Sequence, residues 1–365
     1  MGFRCGLVGL PNAGKSTLFN ALVGKGAEIA EYPFTTIDPN VGVVLLDDPD
    51  LDAVARISGS ARVTPTALEV VDIAGLVKGA HVGEGLGNQF LGHVRSVDAL
   101  FHVVRWFDAG HVPHTMGDVD PVRDAEIIDL ELVLADLEVV ERRLEKTAKM
   151  AKSIDAVRLE HGALQKICEA LSAGKSARLV SLDASEQAVL SRLSLLTQKP
   201  AAYVLNVAED GLSCLGDSQI YQRLRQYACS QGCALVSVSA KLESELAQLD
   251  PAEADEIARE MHIEERSRSR LVSTGHDLLG LITFITSNEN ETRAWSIRRG
   301  SRALDAAEKV HSQMARGFVR AEVVQAKDLI NAGSLVAARQ AGLTRIEGRD
   351  YVVKPADVIL IRFTA

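Results

Sequence analysis

The chain has 365 residues, which is long for one domain and predicts two or three units, each able to bury its own core. Apolar residues make up 47% and charged residues 24%, an ordinary composition for a soluble protein. A formal net charge of −9 excludes a whole-chain basic field for holding nucleic acid, so any RNA contact has to be local. Cys5, Cys168, Cys214, Cys229 and Cys233 are odd in number and lack C-x-x-C spacing. That pattern argues against a disulfide framework and a zinc site, and fits free thiols in a reducing cytoplasm. No apolar run of about 18 residues predicts a membrane span.

The amino terminus carries the decisive motif. Phe3, Cys5, Leu7 and Val8 form a short apolar run, Gly9-Leu10-Pro11-Asn12-Ala13-Gly14-Lys15-Ser16 follows, and Leu18, Phe19, Leu22 and Val23 then recur at helical spacing. This is G-x-x-x-x-G-K-[ST] in strand-loop-helix context, the phosphate-binding loop of nucleotide-binding proteins. Its backbone N–H groups and the positive end of the following helix surround phosphates. Lys15 reaches the outer phosphates and Ser16 ligates Mg²⁺. Tyr32 to Asn40 holds two prolines and no sustained period, and reads as a loop. Val41–Leu46, Ala67–Ile73, Asp98–Val104, Tyr203–Val207 and Ala234–Val238 read as strands, nearly all apolar as in a parallel sheet covered on both faces. With helical patterns between them they predict a doubly wound α/β P-loop fold, its ligand at the carboxyl ends of the strands.

The stretch between Val104 and Tyr203 is too long for an ordinary crossover. Ile127, Leu130, Leu134, Leu137 and Leu144, interrupted by Glu141, predict one helical arm, and Val157, Leu164, Ile167 and Leu171 a second. An inserted antiparallel hairpin follows, with a shorter helix from about Ser185 to Leu196 leading back to the sheet. Gly174-Lys175-Ser176 imitates a phosphate loop, but Glu169 occupies the place of its first glycine. Gly83 to Gly87 imitates a dinucleotide fingerprint without the preceding strand. From Leu281 onward, strands at Ile282–Ile285, Arg293–Ile297, Phe318–Val324 and Val358–Phe363 and a helix over Ala303–Met314 predict a small α+β unit. The organisation expected is a P-loop NTPase domain over 1–120 and 200–276, a helical arm over 121–199 and a C-terminal unit over 278–364.

Other segments complete the nucleotide site. Asp72-Ile73-Ala74-Gly75 ends a strand with Asp-x-x-Gly, where the carboxylate holds Mg²⁺ through water and the Gly75 N–H senses a γ-phosphate. Thr36 is the expected second Mg²⁺ ligand, with Thr35 as its alternative. Both loops would close on a third phosphate and relax when it leaves. The base is expected after Tyr203–Val207, where guanine-specific switch proteins carry Asn-Lys-x-Asp and this chain has Asn206-Val207-Ala208-Glu209. An aspartate there accepts two N–H donors of guanine. Glu209 is one methylene longer and Val207 replaces the lysine along the base, which predicts relaxed or reversed selectivity, with ATP bound at least as well as GTP. Ser239-Ala240-Lys241 completes the pocket.

Gly9 to Thr17, Tyr32 to Asn40, Asp72 to Ala80, Gly83 to Phe90 and Asn206 to Glu209 together resemble the YchF type of Obg-like ATPase, over essentially the whole chain. The C-terminal unit, with Arg293-Ala294-Trp295-Ser296-Ile297 and Gly317 to Val324, resembles a TGS domain of β-grasp type. The resemblance implies a cytoplasmic ATPase that prefers ATP to GTP and hydrolyses it slowly. It implies nucleotide contacts through Asn12, Ala13, Gly14, Lys15, Ser16, Thr17, Thr35, Asn206, Val207, Glu209, Ser239 and Ala240. It further implies a ribosome or ribosomal subunit as partner, with RNA contact through the TGS-like unit and the arm, for which Arg266, Arg268, Arg270, Arg298, Arg299 and Arg302 are candidates. Leu76 stands where many switch GTPases carry the glutamine that orients water, so turnover needs another group. His114 matches a histidine proposed for that work in the family; His111 and His102 are weaker candidates. Asn12 is a candidate K⁺ ligand, the ion replacing an arginine finger. A GTP-specific translation-associated factor and a small-molecule P-loop kinase remain the competing readings.

Overall fold

The apolar runs read from the sequence assemble as strands of one sheet because a strand buried on both faces has no polar side to turn outward. The computed structural model describes residues 3–24, 40–73, 86–108, 112–151, 153–212, 215–261, 263 and 266–364. The first elements are β1 (Arg4–Val8), α1 (Lys15–Val23), β2 (Val41–Leu45), α2 (Pro49–Ser58), β3 (Arg62–Thr64), β4 (Ala67–Asp72), α3 (Leu86–Ser96) and β5 (Ala99–Trp106). Then come α4 (Pro121–Met150), α5 (Asp155–Ser172), α6 (Ala184–Leu190), β6 (Ala201–Val207), α7 (Gln219–Ser230), β7 (Ala234–Val238), α8 (Ala240–Leu246), α9 (Pro251–Glu260) and α10 (Ser267–Leu278).

The first sheet has the order β2-β4-β1-β5-β6-β7. β1 is parallel to β4 and β5, and β5, β6 and β7 continue parallel. β2 runs antiparallel to β4, since the Asp72 N–H bonds the Asn40 carbonyl and the Leu46 N–H that of Thr66. The winding reverses at β1, whose neighbours β4 and β5 lie on opposite sides. A ligand crevice belongs at the carboxyl end of such a strand, which is where the Gly9–Ser16 loop begins.

The chain divides into two compact units, residues 1–44 with 69–274 and residues 45–68 with 275–365. The expected C-terminal boundary of 278–364 therefore omits 45–68, and the span 121–199 does not separate from the first unit. The start of α4 is part of the α/β core, where Ile128, Leu132 and Ala135 pack with Val8, Val94 and Leu100. Its later turns pair with α5 through Val133, Val140, Ala163, Leu164, Ile167 and Leu171. Arg143 meets Glu160 at 2.5 Å and Thr147 Oγ1 lies 2.9 Å from His161 Nδ1, so late α4 meets early α5 and the pair is antiparallel. The expected seam is corrected at Leu130, which is 50% exposed. α4 serves the sheet first and α5 afterwards, and its buried stripe rotates between them. The helix expected over Ser185–Leu196 stops at Leu190, after which Asp136 accepts hydrogen bonds from the Leu196 and Thr197 N–H groups, both at 2.8 Å.

The second unit holds β8 (Leu281–Ser287), β9 (Glu291–Arg298), α11 (Ala303–Val310), α12 (Ser312–Arg316), β10 (Phe318–Gln325), α13 (Ala326–Ala332), α14 (Leu335–Gln340), β11 (Arg345–Glu347) and β12 (Asp357–Phe363). Its sheet order is β11-β10-β12-β8-β9-β3, with the β8–β9 hairpin antiparallel and β12 parallel to β8, a β-grasp arrangement. The helix expected over 303–314 breaks at His311, where the backbone turns extended and the imidazole caps α12. β3 adds to the edge of β9 in parallel, and α2 packs Leu51 and Val54 against Ile285, Ala294, Val324 and Val358.

Candidate nucleotide site

Close packing dictates the glycines of the phosphate loop. A Cβ on Gly9 would stand 2.4 Å from the Val103 carbonyl oxygen, and one on Gly14, whose φ is +90°, would stand 2.2 Å from Asn206 Nδ2. Only glycine meets both demands at Gly14. Asn12 also has positive φ, at 64°, which asparagine tolerates, and its Nδ2 donates to the Pro113 carbonyl at 3.3 Å. Lys15 is 7% exposed and its Nζ donates to the carbonyls of Leu10 at 2.9 Å and Gly9 at 3.2 Å. Burial lowers its pKa to about 8, partly opposed by the nearby Asp72 carboxylate. The ammonium is thus held at the loop by neutral carbonyls, ready to exchange them for anionic oxygens.

Ser16 and Thr17 occupy the first turn of α1 with exposed side chains. Ser16 Oγ–H donates to Asp72 Oδ2 at 2.7 Å, across 56 residues. Asp72 Oδ1 is buried and has no hydrogen-bond partner. A hydroxyl beside a carboxylate with an orphaned buried oxygen is a hard oxygen donor set, and these residues fit Mg²⁺. Among the described residues no group of three or more His, Cys, Asp or Glu forms a metal cluster.

At the base end, Asn206 links two loops. Its Nδ2 donates to the Ala13 carbonyl at 3.0 Å and its Oδ1 accepts the Ala240 N–H at 3.0 Å, so one buried amide ties the phosphate loop to the start of α8. Ser239 is fully buried and caps α8 by accepting the Leu242 N–H. Val207 is buried in an apolar cluster with Val104, Tyr203 and Leu205. Glu209 Oε1 lies 2.7 Å from Lys241 Nζ, and this contact raises the lysine's pKa.

His114 lies at the foot of α4. Its side chain is 3% exposed, with Nε2 2.7 Å from Asp124 Oδ2. The Met116 N–H donates to Nδ1 at 3.1 Å, which places the imidazole proton on Nε2. Its neighbour Pro113 is the residue that Asn12 touches. His102 lies within β5 and stacks on Tyr203 at 5.1 Å, with Nδ1 3.6 Å from Asp129, away from the loop ends. Two residues went unread in the sequence. Arg105, buried at the end of β5, donates to the carbonyls of Phe107 and Val112 at 3.1 Å each and stacks on the Phe107 ring, while its Nη1 has no partner. Phe107 Cε1 lies 3.9 Å from where a Gly14 Cβ would be. The available signal was an arginine near the end of a strand whose remaining residues, His102 apart, are apolar.

Thr35, Thr36, Gly75, Leu76 and His111 lie outside the described residues. Arg266 pairs with the buried Glu243 at 3.0 Å and Arg302 with Asp350 at 2.5 Å, whereas Arg298 and Arg299 are exposed. No described helix is long and apolar enough to cross a membrane.

Comparison with known proteins places this geometry in a family. Residues 4–150 match the family described as MMR_HSR1, 50S ribosome-binding GTPase, and residues 281–364 match YchF-GTPase_C, described as a protein of unknown function. A Bacillus subtilis protein named ribosome-binding ATPase YchF is 44% identical over 364 residues, covering 100% of both chains. The protein of the same name from Escherichia coli O157:H7 is 44% identical, covering 100% of this chain and 99% of its own. Among solved structures, the YchF GTPase of Schizosaccharomyces pombe has a TM-score of 0.88 at 33% identity, covering 99% of this chain and 98% of that one.

Proposed function

The chain belongs to the YchF family, and from that premise and the geometry of its site we propose that it is a cytoplasmic P-loop ATPase that binds the ribosome. The names of its relatives differ on the nucleotide, ATPase for the bacterial proteins and GTPase for the yeast structure, so the choice of base has to be argued from the pocket. The observation that carries the ATP reading is the pairing of Glu209 with Lys241 beside a buried Val207. A carboxylate engaged by an ammonium offers less to the two N–H donors of guanine, and adenine needs no such acceptor.

In this reading Lys15 leaves the Gly9 and Leu10 carbonyls for the outer phosphate oxygens, and the loop N–H groups from Asn12 to Thr17 complete the cradle. Ser16 and Asp72 hold Mg²⁺, with Thr36 completing its protein ligands; the ion, when bound, neutralises phosphate charge. Thr35 and Gly75 contact the third phosphate. His114 takes the proton of the attacking water in place of the missing glutamine, and turnover is slow because the imidazole is buried and bonded at both nitrogens. K⁺ at Asn12 is the second source of positive charge. The nucleotide-dependent state of the switch loops is what the ribosome reads, with the exposed Arg299 as a candidate for RNA contact.

The test is direct. Purified protein should bind ATP more tightly than GTP, release free phosphate slowly, and co-sediment with ribosomes to different extents with ADP and with a non-hydrolysable ATP analogue. Tight guanine binding without adenine binding overturns the ATP reading, and equal turnover in K⁺ and Na⁺ removes the potassium.

A further inference from the structure

We propose that Asp124 is a positioning residue for hydrolysis, holding His114 by Nε2 so that Nδ1 is the nitrogen presented to the attacking water. The inference rests on the reading of His114 above and adds the residue that orients it. A neutral imidazole has one donor and one acceptor nitrogen, and whatever binds one decides the role of the other. Here Nε2 is bound by a carboxylate on a long helix, at 2.7 Å, with both side chains buried. Among the described residues Nδ1 is bound by the N–H of Met116, two residues along the same loop. The first contact joins His114 to a long helix and the second stays within one loop, so Met116 is the contact that an attacking water would replace.

The surroundings are those of an orienting carboxylate. Asp124 lies in the first turn of α4, where burial raises its carboxyl pKa and the His114 imidazole and Arg123 guanidinium oppose that rise. Arg123 Nη2 donates to its Oδ1 at 3.3 Å, and Nη1 of the same guanidinium donates to Asp118 at 2.6 Å. Among the described residues the charged groups around the imidazole are Asp124, Arg123 and Asp118. The Asn12 to Pro113 hydrogen bond ties the residue before His114 to the phosphate loop. When Nδ1 accepts the proton of water, the hydroxide adds to phosphorus, the bond to the bridging oxygen breaks, and the imidazolium formed is stabilised by the carboxylate it already touches.

The experiment is a double-mutant cycle with H114A, D124N and the double variant, reading phosphate release across pH and ATP affinity separately. D124N should lose about tenfold or more in kcat, a share of what a general base contributes, with ATP affinity unchanged. With Nε2 no longer held by a carboxylate, the pH profile of kcat should differ from that of wild type. The double variant should be no slower than H114A. If H114A is slow but D124N keeps wild-type kcat and pH profile, Asp124 has no such role. Loss of ATP affinity in parallel with kcat also overturns it, since that marks a general structural defect. If H114A itself turns over at the wild-type rate, the histidine reading falls first. Nitrogen-15 NMR of the wild-type full chain covers the case of an unfolded D124N: a proton on Nε2 of His114 is expected, and one on Nδ1 overturns the proposal.

Discussion

The two ends of the nucleotide site are built by different means. The phosphate end is backbone geometry and burial: Gly9 and Gly14 packed against other chain atoms, Lys15 sheltered, and a carboxylate oxygen left without a partner. The purine end is side-chain chemistry, with Asn206 as a fixed strut and the half-exposed Glu209 joined to the exposed Lys241. Grip on a triphosphate is therefore hard to change without wrecking the loop. In the proposed reading, choice of base rests on an ion pair that can be altered at little cost to the fold.

The largest expected effect is at Gly14. Gly14→Val forces a side chain onto Asn206 at a φ of +90°, and nucleotide affinity should fall about 100-fold or more for ATP and GTP alike, by calorimetry. Lys15→Met removes the buried cation; losing a charge-assisted contact of about 2 kcal/mol should weaken ATP about 30-fold. The nucleotide-free variant should nonetheless melt higher than wild type, because burial already disfavours the charge.

The same lysine sets a pH dependence. With its folded pKa lowered to about 8 from 10.5, the unfolded chain binds the extra proton between those values, so nucleotide-free stability rises with pH across that window. Phosphates favour the charged form, so ATP binding should take up protons above pH 8 and weaken as pH rises further, by at most about tenfold per unit. Calorimetry in two buffers of different ionisation enthalpy reads that uptake, and none at pH 9 would contradict the burial of Lys15. Asn206→Ala breaks both struts and should weaken ATP and GTP equally, by about tenfold. The smallest effect sharpens the contrast most: Lys241→Met should lower the ATP-to-GTP affinity ratio by only about threefold, and less in high salt. A ratio that does not move leaves the extra methylene of Glu209 as the whole basis of selectivity.

What could be read in advance follows the range of each signal. The phosphate loop and the apolar strands are local patterns of a few residues, and they stand where the sequence predicts them. The strand expected over Val41–Leu46 nonetheless runs antiparallel, because strand direction depends on the connection and not on the apolar run. α2 also carries local signals in the sequence, Asp48 capping Asp50 and Leu51 ahead of Pro49 at the helix start and Gly59 at its end. β3 carried none: three residues paired with a strand more than two hundred positions away leave no periodicity. The α4 seam failed at Leu130 because one heptad pattern was fitted to a helix with two successive partners.

The sequence by itself determined that a phosphate-binding loop stands near the amino terminus, that the sheet is mainly parallel, and that Asn206 to Glu209 departs from a guanine signature, since these rest on residue type and short spacing. Only the tertiary structure decided that Asn206 braces a loop 193 residues earlier, that Ser16 meets Asp72, and that residues 45–68 pack with the C-terminal unit. It also decided that His114 is held by Asp124. The physical reason is that a hydrogen bond between distant segments depends on how the elements between them pack, and that packing is a property of the whole chain rather than of any stretch of it.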